Sequence, residues 1–177
     1  MIEYVQVAYS RLVQGAWRTL PVLLTVACML ATSLPLHIWD GHLPAPDIAL
    51  ISLFFWAMHG QGFMPAWGVF LLGVARDLQT GAPLGFWVVI YLFAYGFTLT
   101  QRIFFKGRTG IGSWLGFALV AVLAGFACWL LGMAVFTRWL PPEEIALQVG
   151  VTLLFQPLLS RLFMLFRRVL TTAPETL

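Results

Sequence analysis

The chain has 177 residues, of which 60% are hydrophobic and 10% charged, with a formal net charge of +3. Soluble domains carry about 25% charged residues, so an ordinary water-facing surface is excluded. Several runs reach the roughly 18 apolar residues that read as membrane spans, which makes this an integral membrane protein with little soluble mass. The length suits one domain.

In chain order, residues 1–19 form an amphipathic leader. Glu3, Gln6, Ser10, Gln14 and Arg18 recur at helical spacing, and Ile2, Val5, Tyr9, Leu12, Val13 and Ala16 fill the other side. With Trp17 as an interfacial anchor, this pattern fits a helix on the membrane surface or a cytoplasmic extension of the first span. The first span runs from Leu20 to about Leu36 and lacks the pattern of a cleavable signal. After the loop HIWDGHLPAPD, a short apolar segment covers Ile48 to Met58. HGQG interrupts at 59–62, and a second short segment runs from Phe63 to Ala75, or as far as Thr80. Further spans cover Gly85–Thr100, Ile111–Phe136 and Ile145–Phe166. The transmembrane domain is 20–168, followed by a cytoplasmic tail at 169–177.

Positive charge decides whether 48–80 is one broken helix or two short ones, because Lys and Arg concentrate on the cytoplasmic side. Two helices give six spans with both termini inside. Arg11, Arg18, Arg102, Lys106, Arg108, Arg161, Arg167 and Arg168 are then cytoplasmic, and only Arg76 and Arg138 lie outside. A single helix would move Arg102, Lys106, Arg108 and the C-terminal arginines outside. The expectation is therefore an all-α protein of six transmembrane helices, with helices 2 and 3 a short hairpin and HGQG its cytoplasmic turn. Pro65 suits the first turn of the returning helix.

Two spans carry packing signals. Ala118, Ala121, Gly125, Cys128 and Gly132 share one face of the fifth helix, widened by Ala124, and Ala27 with Ala31 forms a similar pair in the first. Small residues let helix backbones approach in lipid, either within the molecule or against a partner. In the sixth span Pro157 removes a backbone bond, so a kink is expected. Gln156 beside it could satisfy the freed carbonyl or reach another helix.

The segment GVARDLQTGAPLG, residues 73–85, places Arg76 and Asp77 at the end of the third helix. The helix dipole there favours the cation and opposes the acid, so Asp77 needs compensation. Gly81, Ala82 and Gly85 offer free N–H groups at the start of the next helix, with Pro83 in its first turn. Asp77 folded onto that N-terminus would lock helix 3 to helix 4. The alternative is a polar patch at the outer mouth, met by a partner or ligand, and the two readings are compatible.

That segment resembles the signature of MreD, the rod shape-determining membrane protein family, which reads roughly G-L-x-x-D-x-x-x-G-x-P-L-G. Pro46-Asp47 followed by Trp56 resembles a second family stretch. The resemblance implies a fold similar to the substrate-binding subunits of energy-coupling-factor vitamin transporters. It also implies a non-enzymatic scaffold of the bacterial cell-wall elongation complex in the inner membrane. MreC would be the closest partner, with MreB, RodA and a penicillin-binding transpeptidase reached indirectly, and membrane lipids around it. The candidate partner-binding or structural residues are Asp47, Arg76, Asp77, Gly81, Pro83 and Gly85, although Arg76 departs from the apolar residue usual beside the signature Asp; the small residues Ala27, Ala31, Ala121, Gly125 and Gly132 are the candidates for helix packing. The alternative is a vitamin-type binding subunit of a transporter.

Other chemistry has little support in the sequence. His37, Asp40 and His42 match no closed metal-site spacing, so neither metal nor cofactor is expected. Cys28 and Cys128 read as small packing residues. Glu143 and Glu144, after Pro141-Pro142, suit the N-terminus of the sixth helix, with Trp139 as an interface anchor. The basic run QRIFFKGR fits topology and anionic lipid heads, not nucleic acid.

Overall fold

The computed structural model describes residues 19–30, 44–59, 64–105, 110–136 and 141–172. Among the described residues the chain is all-helical, with six helices and no strand. They are α1 Thr19–Leu30, then α2 Ile48–His59, α3 Ala66–Thr80, α4 Phe86–Phe105, α5 Ile111–Phe136 and α6 Pro142–Thr172. The amphipathic leader, Ala31, the loop with His37, Asp40 and His42, the Gly60–Gly62 turn, Lys106, Arg108, Arg138, Trp139 and the last five residues lie outside the described set.

The short helix α2 is the axis of the bundle. Its sequence is apolar all round, and a helix of that kind is stable only when covered on every side. Every residue from Ala49 to Ala57 is buried. Phe54 meets Phe117 of α5 edge-on at 5.3 Å between ring centroids. Phe55 and Trp56 lie 5.5 and 6.2 Å from Phe163 of α6. Ser52, the polar exception, hydrogen-bonds Thr25 of α1, whose hydroxyl also donates to the Pro21 carbonyl. The expected pairing of α2 with α3 as a hairpin is not the packing found. α2 lies chiefly on α4 and α6, while the principal neighbour of α3 is α4. The reason is shape: α3 carries Gly68 and Gly73 on the sides that receive α1 and α4. A Cβ at Gly68 would stand 2.7 Å from Val22 Cγ2, and one at Gly73 would stand 2.5 Å from the Val88 Cα.

The small-residue face of α5 points into the bundle. Ala121, Ala124 and Gly132 are buried, and a Cβ at Gly125 would stand 2.7 Å from Val149 Cγ2 of α6. Ala27 of α1, by contrast, is exposed. Helix α6 continues through Pro157. Proline cannot bond the carbonyl four residues back, which here belongs to Leu153. The indole Nε1 of Trp114 in α5 donates to that carbonyl at 3.4 Å. The neighbouring Gln156 instead donates to Ser160 Oγ at 3.0 Å, within its own helix.

Two helical stretches, Ile111–Phe136 and Pro142–Arg167, are long and apolar enough to cross a membrane. Only 28% and 17% of their apolar windows are buried inside the bundle, so most of that apolar surface faces outward. A soluble monomer rarely exposes contiguous apolar area on this scale.

Candidate functional site: a helix joint and a carboxylate hub

The α3–α4 connection closes on one side chain. Helix α3 ends at Gly81, whose left-handed conformation (φ 66°) returns its N–H to the Asp77 carbonyl. Ala82 donates to the same carbonyl at 3.1 Å. The chain then passes Pro83 and turns at Gly85, where φ is 102°. L side chains rarely adopt either conformation. Phe86 N–H bonds the Pro83 carbonyl at 3.1 Å, and α4 begins there. Pro83 therefore precedes α4 rather than standing in its first turn.

The fully buried Asp77 carboxylate lies across the start of α4. Its Oδ2 accepts from Gly85 N–H at 2.7 Å, and Oδ1 accepts from Trp87 N–H at 2.8 Å. These donors are among those a helix N-terminus leaves unsatisfied. The acid that opposes the dipole of its own helix is thus placed where the dipole of the next helix favours it. The amides filled are Gly85 and Trp87, while Gly81 and Ala82 turn to the Asp77 backbone. Because the carboxylate is covered, Asp77 presents no surface to a partner.

Arg76 points elsewhere. Its guanidinium sits 5.3 Å from the centroid of the Trp87 ring, a cation–π arrangement, and donates to Gln79 Oε1 at 3.0 Å. Gln79 donates onward to the Met29 carbonyl of α1 at 3.1 Å. Trp87 Nε1 donates to Thr80 Oγ1 at 3.1 Å. Three helices are thereby held around one indole.

The second acid, Asp47, caps α2. It immediately precedes the helix, and Oδ1 accepts from Leu50 N–H at 3.1 Å, an ordinary N-cap bond. The same oxygen accepts from the Tyr91 hydroxyl of α4 at 2.9 Å. The Asp47 N–H donates to Thr152 Oγ1 of α6 at 3.0 Å, and that hydroxyl donates to the Gln148 carbonyl at 2.7 Å. Asp47 is 7% exposed and joins α2, α4 and α6. One turn of α4 links the two acids, since Trp87 and Tyr91 stand 5.7 Å apart.

A cavity of about 30 Å³ lies beside Asp47, with Trp87, Ala124, Cys128, Gln148 and Thr152 in its wall. It has room for one or two water-sized groups. Cys28 and Cys128 are free, half-buried thiols.

Comparison with protein-family models, with curated proteins and with solved structures returns no match for this chain. The site therefore stands on its own geometry. The sequence reading missed Tyr91, Thr152, Trp87 and Gln79. The spacing of Trp87 and Tyr91, four apart at the start of a helix, was the available signal for their shared face. Nothing local pointed to Thr152.

Proposed function

We propose that the protein is a six-span, non-enzymatic membrane scaffold of the MreD type in the bacterial inner membrane, with both termini in the cytoplasm. Its role is to hold the bitopic protein MreC within the wall-elongation complex. The observation that carries this reading is the coincidence of the resemblance with the joint. The residues that resemble the family signature, Gly73 to Gly85, are those that build the α3–α4 connection. Gly73 gives the backbone approach, Asp77 the cap, and Gly81 and Gly85 the two turns. The outward apolar surface of α5 and α6 supports the membrane part.

In this reading Asp77 shapes the outer corner and its rim makes the contact. Leu78 and Leu84 are 72% and 75% exposed, beside exposed Gly81 and Pro83. Leu84→Glu is expected to abolish co-purification of MreC while leaving the melting temperature unchanged. Capture of MreC at the wild-type level removes the corner from the interface. The threading has its own test, with Gln61→Cys and Leu84→Cys placed singly in a chain lacking Cys28 and Cys128. An impermeant maleimide should reach position 84 in intact cells and position 61 only after permeabilisation. External labelling at 61 would overturn the topology.

The vitamin-binding alternative is less well supported by the cavity beside Asp47. Small-molecule sites enclose about 300–1,000 Å³, against about 30 Å³ here.

A further inference from the structure

The two buried acids differ in what they leave over. Asp77 spends both carboxylate oxygens on backbone N–H groups. Asp47 instead lines a cavity together with Gln148 and Thr152, and both of its side-chain bonds, to Leu50 and Tyr91, fall on the one oxygen Oδ1. That cavity fits a group of water size, and a primary ammonium is such a group, with N–H donors that match a carboxylate. Trp87 also lines the cavity, and the Arg76 guanidinium lies over the Trp87 ring. Trp87 thus shares the cavity wall with an acid and carries a cation over its ring. A simple cation entering the cavity would be opposed by Arg76, and a simple anion by Asp47. A short zwitterion meets both.

The surroundings point to a lipid rather than a soluble zwitterion. The cavity is walled by α5 and α6 at half-buried Gly125, Ile145 and Gln148. The adjoining residues Val122, Phe126 and Leu147 are exposed and apolar, as acyl chains require. We infer that this end of the bundle holds the phosphoethanolamine headgroup of a phospholipid, its ammonium on Asp47 in the cavity and its phosphate toward Arg76. The inference rests on the membrane reading but not on the identity of the protein partner.

The test is native mass spectrometry of the full chain released from bilayers of phosphatidylethanolamine, phosphatidylcholine and phosphatidylglycerol with matched acyl chains. The ethanolamine lipid is expected to be retained about tenfold over the other two, the size of one charge-assisted hydrogen bond. The choline head has three methyl groups and no N–H, and the glycerol head has no cation. Asp47→Asn keeps an N-cap oxygen for Leu50 and an acceptor for Tyr91 while removing the charge, and is expected to erase the preference. Arg76→Gln should lower retention of the ethanolamine lipid as well. Equal retention of the three lipids by the wild-type chain, a comparison needing no variant, overturns the proposal. So does Asp47→Asn that still selects ethanolamine. Soluble phosphoethanolamine at millimolar concentration is expected not to displace the lipid, and displacement would overturn the lipid assignment. A chain that fails to enter bilayers at all refutes the membrane reading instead, and failure of the wild-type chain to capture MreC, with lipid selectivity intact, refutes only the scaffold role.

Discussion

Asp77 and Asp47 are both buried carboxylates at helix N-termini, yet they do different work. Asp47 caps the helix it precedes, through Leu50 three residues on, and shares the same oxygen with Tyr91. Asp77 caps a helix other than its own, through amides eight and ten residues on. The first is a local device into which tertiary partners have been recruited. The second is a tertiary device that exists only because two glycines bend the chain back. Removing Asp47 should therefore loosen several contacts slightly, and removing Asp77 should break one joint.

The largest expected effect is at that joint. Asp77→Ala leaves two part-buried amides without their charged acceptor, at about 1.5–3 kcal/mol for each bond. Thermal unfolding in detergent should show a loss of about 3 kcal/mol or more by the same reckoning. A loss similar to that of Asp47→Asn would erase the contrast. Next comes Gly73→Ala, whose methyl would stand 2.5 Å from the Val88 Cα and 2.8 Å from its N. Backbone cannot yield as a side chain does, so about 1–3 kcal/mol is expected, read from the same melts. Tyr91→Phe removes one bond to Asp47 and should cost about 1 kcal/mol. It sharpens the comparison when combined with Asp47→Ala, because a double-mutant cycle should show strong coupling between the two and weaker coupling between Tyr91→Phe and Asp77→Ala. Gly81→Ala, at φ 66°, is expected to cost about 1 kcal/mol through the left-handed turn alone. The smallest effect is Trp114→Phe. Its bond to the Leu153 carbonyl is long, 3.4 Å, and its loss should cost under about 1 kcal/mol.

The difference between the acids also explains what could be read in advance. An acid at the wrong end of a helix, followed by Gly81, Pro83 and Gly85, announces a conflict that the next N-terminus can resolve. The fold-back of Asp77 was therefore legible, although the amides it fills are Gly85 and Trp87. The partners of Asp47 were not legible. Tyr91 and Thr152 lie 44 and 105 residues away, and in so aromatic and apolar a chain neither stands out. The ends of the fifth helix agreed with hydropathy, but α4 and α6 run beyond their apolar cores, because polar residues continue a helix once its centre is packed. Shape was the least legible property. That α2 is wrapped by its neighbours instead of pairing with α3 depends on where Gly68 and Gly73 make room, a three-dimensional fact. Pro157 similarly announced an orphan carbonyl, but its donor, Trp114, comes from a different helix.

The most direct test of the joint is amide hydrogen exchange over residues 81–90 in the wild-type chain and in Asp77→Ala, both in the same bilayer. If the carboxylate holds the start of α4, the Gly85 and Trp87 amides exchange slowly in the wild type and much faster in the variant, with α2 unchanged. Equal protection in the two chains would mean that the helices meet without Asp77, and the account of the corner would fail.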